Sequence, residues 1–441
     1  MNRLERLESL VAAARAAGAD AADAILAAGT ALSVHRRLGK VEHLERSEGL
    51  DLGLRVFVGK RQAIVSATDA DPAGFGALAE RAVAMARAVP EDGFSGLGDA
   101  LPLPALDLDM TDAAEPDAEA LLARAALAEE AAMAVPGVTN SEGAEAGFRR
   151  SGIAIFASNG FAGEYSRSSH SISVTALAGS GTEMERDYDS HSAVHLEDLE
   201  DAAALGRSAG ERAVRRLHPT RPQTGRFDVV YDPRVSASLV AHLAAALNGA
   251  SVARGTSFLR GSMDQPVLAP GLTLRDDPTR RRGLRSRPFD GEGMPAAPLT
   301  LVEDGTLRNW VLDLRSARQL GLAPNGRGAR GISSPPSPAT TNLWLEAGTL
   351  SPAALMADIA EGIYVTELIG SGVNGVTGDY SRGAAGFMIR GGQIAEPVSG
   401  ITIAGNLKDI FLRLVAADDL RFRRGTDAPT LRADGLAVAG R

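Results

Sequence analysis

The chain has 441 residues, too many for one hydrophobic core, and this length predicts two or three domains. Its 44% apolar and 4% aromatic content describes a globular protein whose core is built mainly from Ala, Val, Leu and Ile. A net charge of −9 disfavours direct binding to phosphate backbones, and the absence of Cys excludes disulfides, thiol nucleophiles and Cys-ligated zinc.

In chain order, residues 2–17 place Leu4, Leu7, Leu10, Val11 and Ala14 on one helical face, and Gly18 is a natural stop. Four strand-like runs follow at Ala31–Arg36, Lys40–Ser47, Leu50–Val58 and Gln62–Ala67. Leu38-Gly39-Lys40 and Val58-Gly59-Lys60 read as hairpin turns between them. A helix at Ala73–Ala88 completes an N-terminal α+β module over residues 1–91. Residues 92–116 are rich in Gly, Pro and Asp and read as a linker. A central α+β module spans 117–222. It holds a helix at Asp117–Val135, strands at Val138–Arg149, Gly152–Ser158 and Gly163–Ala178, and a helix at Leu196–Leu217 entered through acidic residues.

From 223 to 441 the pattern is that of a β-rich domain with a few helices. Phe227–Tyr231 is a buried-strand run and Pro233–Asn248 is helical. Strands are expected at Thr300–Val302, Leu307–Leu314, Ile363–Ile369, Gly386–Arg390, Gln393–Ile394 and Ser399–Ile403, with a last helix at Asn406–Ala416. The fold class is therefore α+β: an N-terminal α/β-layer region followed by a β-rich C-terminal domain. No run approaches the roughly 20 apolar residues of a bilayer span, and the N-terminus lacks the apolar segment of a secretory signal. The expected setting is the cytoplasm, with no membrane partner.

Few side-chain constellations carry chemistry. His191 and His195 are spaced i, i+4, which on a helix would put two ligands on one face, although two imidazoles leave a metal's coordination unfinished. The basic run Arg275–Arg287 has no interleaved aromatics and reads as a solvated loop or edge strand rather than a nucleic-acid patch. Gly370–Gly378 has neither P-loop nor Rossmann spacing and reads as a close-packed turn. Gly331–Pro338 is a Ser/Pro loop at the surface or over a cleft. Asp379, Tyr380, Ser381 and Arg382 sit between Gly378 and Gly383, either lining a cleft or fixing a turn through an Asp–Arg pair.

Three blocks in the C-terminal half have a recognisable order: Thr366-Glu367-Leu368-Ile369-Gly370-Ser371-Gly372-Val373, then Thr377 to Phe387 (TGDYSRGAAGF), then Pro397 to Asp409 (PVSGITIAGNLKD). With Pro288-Phe289-Asp290-Gly291-Glu292-Gly293 and Ser316 to Leu322 (SARQLGL), they resemble the TldD/PmbA family, in its PmbA/TldE branch. The resemblance implies a two-domain α+β protein that pairs into dimers around a narrow cleft. It implies a TldD-like subunit carrying a zinc peptidase site, with the TldE-like subunit as its partner. It also implies unfolded or modified peptides as substrates; an older label for the family is modulator of DNA gyrase.

In the active sibling the metal is held by His-Glu-x-x-x-His on a helix and a late Cys. The matching segment here is His242-Leu243-Ala244-Ala245-Ala246-Leu247. One imidazole remains, Leu243 cannot take a proton from water, and no Cys exists. The resemblance thus implies no catalytic or metal residue in this chain and zinc in the TldD-like partner. His242, Asp379, Tyr380, Ser381 and Arg382 are the candidate cleft or partner contacts. The expected function is the non-catalytic subunit of a TldD–TldE metallopeptidase. The alternatives are a stand-alone interaction homodimer, or an independent hydrolase with a different site.

Overall fold

The computed structural model describes residues 2–441. Helix α1 (Arg3–Ala16) starts at a capping box, in which the Asn2 side chain accepts the Glu5 backbone N–H and Glu5 reaches back to that of Asn2. Strands β1 (Ala21–Arg37), β2 (Lys40–Val58) and β3 (Arg61–Ala67) follow, then α2 (Phe75–Ala88). The N-terminal strands are longer than the sequence pattern predicts. β1 begins at Ala21, and the two runs expected at 40–47 and 50–58 are one strand. Leu38 and Gly39 both take positive φ (48° and 78°), the geometry of a tight two-residue hairpin turn.

Helix α3 (Ala118–Met133) is capped by Asp117 and leads into β4 (Val138–Ala157), β5 (Ala162–Ala178) and β6 (Glu185–Ala193). Helix α4 (Ala202–Arg215) starts at its own cap, Asp201. The helix expected from Leu196 is interrupted: Leu196–Asp198 is a single 3-10 turn, and the acidic residues before Ala202 lie in the connection.

These strands form one antiparallel sheet in the order β3-β2-β1-β4-β5-β6, with β1 pairing β4 from Asp23↔Ala157 to Arg36↔Ala144. Two helix pairs cover one face. Leu7, Leu10, Val11 and Ala14 of α1, with Ala79, Ala82 and Val83 of α2, pack on one part of the sheet. Leu121, Ala125 and Ala128 of α3, with Leu205 and Ala209 of α4, pack on the other. The facing side chains are mostly Ala and Val, as an aromatic-poor composition requires.

Residues between α2 and α3 have no regular structure, yet they are tied down along their length. Arg318 donates to the carbonyls of Phe94, Gly96 and Leu97, Arg315 pairs with Asp92 at 2.6 Å, and Arg282 pairs with Asp109 at 2.7 Å. Within the basic run Arg275–Arg287, Arg281 and Arg282 spend their charge on this strap. Arg282 also reaches Glu197 and Asp198.

The C-terminal half is built on a ring of strands: Gln393–Asn406, Asp379–Arg390, Glu361–Ile369, β7 (Gly225–Tyr231) and Leu431–Ala439. Gln393–Asn406 also pairs with Leu431–Ala439 at Ile403↔Val438, which closes the ring. Helix α5 (Pro233–Ala246) packs within its large apolar core. A second sheet, with Leu274–Asp276 and Leu299–Glu303 among its strands, lies beside it. Three local expectations are corrected here. Of the run 307–314 only Leu307 is in a strand, Thr306–Leu307, and Leu314–Leu320 is a helix capped by Asp313. The last helix covers Leu407–Phe411 alone. Leu431–Ala439 is a strand that the sequence pattern does not announce.

The helix-free face of the N-terminal sheet meets the C-terminal half through buried ion pairs. Asp23 of β1 bonds both Arg55 of β2 and Arg330, at 2.6 Å for the latter. Among the described residues, no helix is long and apolar enough to cross a membrane.

Candidate functional site

Strand β7 runs parallel to Glu361–Ile369 and antiparallel to Leu431–Ala439, so its last residue, Tyr231, is fully buried. Asp232 then caps α5 by accepting the Arg234 backbone N–H, and Pro233 fills the first turn, where its missing N–H costs nothing. Val235, Leu239, Val240, Leu243 and Ala246 form the buried stripe of α5. Leu243 is 1% exposed and Leu247 is 0% exposed. His242 lies at the border of this stripe, half-buried, with Nε2 enclosed and without a hydrogen-bond partner.

Strand Asp379–Arg390 supplies the rest. A strand sends alternate side chains to opposite faces. Tyr380 is buried and Arg382 half-buried, while Asp379 and Ser381 are exposed. The Tyr380 ring meets His242 edge-on, with centroids 6.2 Å apart at 70°. The Tyr231 and Tyr380 hydroxyls approach each other, yet both are enclosed without a well-formed hydrogen bond.

The charge states follow from burial. Desolvation, followed by the Arg382 charge, holds His242 below the ordinary imidazole range, so its ring is neutral at pH 7. Burial pushes Tyr380 up to about 12, against the pull of Arg382. Burial and the neighbouring Tyr380 push Tyr231 well above the usual phenol value. The site is thus two protonated phenols, a neutral imidazole and a guanidinium. These groups can hydrogen-bond, but none of them is a carboxylate able to take a proton from water.

The structure brings together three of the five candidates, His242, Tyr380 and Arg382, and leaves Asp379 and Ser381 aside. Asp379 accepts from the Thr377 hydroxyl at 2.6 Å and the Asn406 amide at 3.2 Å, which hold its carboxyl below the usual range. The Ser381 backbone N–H donates to the Gly372 carbonyl. No Asp379–Arg382 pair forms, because the segment is the start of a strand rather than a turn; the Arg382 Nε donates to the Ile369 carbonyl at 3.4 Å. Tyr231 was not among the sequence candidates. Its only signal is a phenol at the end of an apolar run, directly before the cap of the His242 helix.

His191 and His195 do not share a helix face. His191 lies in β6, and its Nδ1 accepts the Glu200 backbone N–H at 3.1 Å. His195 follows the strand and sits 3.1 Å from the Asp109 carboxylate. Among the described residues, no group of three or more His, Asp or Glu side chains is placed to hold a metal. The residues at 242, 243 and 247 do not fit a zinc ion: one imidazole faces a phenol ring, and two aliphatic side chains are core.

Three family profiles match the chain in order. These are PmbA/TldA metallopeptidase domain 1 over residues 22–86, the central domain over 111–217 and the C-terminal domain over 224–440. Metalloprotease PmbA of Escherichia coli is 35% identical over 417 residues, covering 93% of this chain and 90% of that protein. A PmbA homologue of Haemophilus influenzae is 31% identical over 418 residues, covering 93% and 90%. A Bacteroides thetaiotaomicron structure described as a candidate modulator of DNA gyrase superposes with a TM-score of 0.90 at 26% identity, covering 99% and 98%. TldE of Thermococcus kodakarensis shares the fold, with a TM-score of 0.89 at 18% identity over 99% and 100%. The chain belongs to the PmbA/TldD family.

Proposed function

We propose that this member of the PmbA/TldD family is the non-catalytic, TldE-type subunit of a zinc metallopeptidase complex that processes or degrades peptides. A TldD-like partner would hold the zinc, in a heterodimer or larger assembly in the cytoplasm. The observation that carries this reading is the burial of Leu243 and Leu247, which stand where a water-polarising carboxylate and a second imidazole would be needed. They are integral to the core, so the helix is committed to packing rather than to metal. The name metalloprotease, borne by the relatives, would then describe the assembly.

A subunit of this kind needs surface for a partner or an extended peptide. The outer edge of β2 offers one: β3 pairs only with Leu52–Val58, and Lys40–Gly49 is exposed beyond it. A free strand edge can add another strand through backbone hydrogen bonds. Purified chain should contain no stoichiometric zinc and cleave no peptide. Mixing it with a TldD-like protein bearing His-Glu-x-x-x-His should give chelator-sensitive cleavage. Zinc-dependent cleavage by the isolated chain would overturn the reading.

The unpartnered groups around His242 favour a second reading, an independent hydrolase. Chelator-resistant activity of the chain alone, lost in His242→Ala, would select it. A stable dimer that neither cleaves nor pairs with a TldD-like protein would instead indicate a stand-alone interaction protein.

A further inference from the structure

A cavity of about 250 Å³ lies where the helix-free face of the N-terminal sheet meets the C-terminal half, away from His242. Its floor is apolar. Ile25 of β1 and Ile155 of β4 are register partners, and Ile153 of β4 opposes Tyr165 of β5 on the same face. Its wall is cationic, lined by Arg167, Arg285, Arg287 and Arg330. Arg167 and Arg285 are exposed and mark the mouth. Arg287 and Arg330 lie deeper, and the Arg330 side chain is fully buried.

The hydrogen-bonding capacity of this wall is not used up. Arg330 spends Nη1 on Asp23, leaving Nε and Nη2 enclosed and unpaired. The Arg287 Nε is likewise enclosed and unpaired, and its Nη2 donates only a long bond, 3.4 Å, to the Gly326 carbonyl. The one carboxylate in the lining, Asp290, already accepts the backbone N–H groups of Glu292, Met294 and Gly328. Buried guanidinium donors without acceptors are costly, and a planar oxyanion matches their fork geometry.

We infer that this cavity binds a carboxylate carried on a small apolar body, with the oxyanion on Arg287 and Arg330 and the apolar part against Ile25 and Ile155. An aliphatic residue at the free C-terminus of a peptide has this chemistry, and choosing it as the natural ligand rests on the peptide-processing reading. The cavity itself does not depend on that reading. The site would hold a chain end rather than cleave it: its one carboxylate, Asp290, is committed to backbone N–H groups, and among the described residues no group is placed to hold a metal.

Isothermal titration of the full chain alone, without partner or zinc, tests the assignment. The probes are N-acetyl-leucine, N-acetyl-leucinamide, inorganic phosphate and a tripeptide ending in leucine. N-acetyl-leucine is expected to bind once per chain and the amide not at all. Arg287→Gln should weaken binding about tenfold or more, the value of a charge-assisted hydrogen bond. Arg285→Gln, at an exposed mouth residue whose loss does not endanger the fold, should weaken it less. Equal binding of the tripeptide identifies a peptide end as the source, and binding of the small acid alone identifies a free carboxylate. The amide binding as well as the acid, phosphate binding better than the acid, or no binding in a folded wild-type chain would each overturn the inference. Because no cleavage is measured, this outcome is independent of whether the complex is a peptidase.

Discussion

Leu243→Glu tests whether helix α5 is committed to packing. Leu243 is 1% exposed within the C-terminal core. Removing its side chain from that core forfeits about 2–3 kcal/mol. The new carboxyl, among apolar side chains, stays protonated in the fold, whereas in the unfolded chain it ionises near pH 4.3. Keeping it neutral at pH 7 costs about 1.4 kcal/mol per pH unit above that value, or about 3.7 kcal/mol. The sum is about 6 kcal/mol, comparable to the whole stability of many domains. A folded pKa raised above the unfolded one means that the cost grows with pH. At pH 5 the ionic part falls to about 1 kcal/mol. Denaturant unfolding of wild type and variant at pH 5 and pH 7 reads this directly. The double variant Leu243→Glu/Leu247→His restores His-Glu-x-x-x-His, yet it should bind no stoichiometric zinc, because the third ligand is still absent. Wild-type stability at pH 7 together with one tightly bound zinc would refute the reasoning.

Glu292 lies under the sheet, pushed up to about 8 mainly by burial, with Arg55 at 3.9 Å opposing the shift. Its folded value exceeds the unfolded 4.5, so its cost accumulates as pH rises from 4.5 to 8. Glu292→Gln still accepts the Leu314 N–H and should gain on wild type with pH, by on the order of a few kcal/mol at pH 8; melting temperatures that differ equally at pH 5 and pH 8 would contradict this. Asp23→Ala strands two buried guanidinium groups and should cost about 3–5 kcal/mol in denaturant unfolding, more than any exposed pair. Tyr380→Phe removes an enclosed hydroxyl without a well-formed partner, so unfolding should shift by no more than about 0.5 kcal/mol; a loss above about 2 kcal/mol would mean that the hydroxyl is properly bonded.

What the sequence displays and what it hides divide along the range of the interactions. Caps and hairpin turns are local, and Asp117, Asp201, Asp232 and Leu38-Gly39 act where the residue types suggest. The α+β class and the β-rich C-terminal half were legible for the same reason. Strand length was not. Glycines at 29 and 49 look like breaks, yet they are register partners within continuous strands, each supported by the other's backbone. Leu431–Ala439 was hidden because Asp434 and Gly435 interrupt its pattern at a register shift, and only its neighbours in the ring make it a strand. In the candidate site, the substitutions at 243 and 247 were legible as chemistry. The selection of Tyr380 and Arg382 over Asp379 and Ser381 was not, because it depends on the segment being strand rather than turn.

The same distinction bears on the inner face of α5. On the inner face of α5 an imidazole would need a hydrogen-bond partner, and an ionised carboxylate a charged one, to be tolerated in the core. With Leu at both positions the helix needs none, and the polar atoms left nearby are uncharged at neutral pH except for Arg382. Buried ion pairs lie instead at the junction beneath the sheet, where Asp23 with Arg55 and Arg330 joins the two halves. Breaking the junction should therefore change stability far more than changing the polar groups around His242. If Tyr380→Phe instead proves as costly as Asp23→Ala, the groups around His242 are a structural network, and the cleft assignment fails with it.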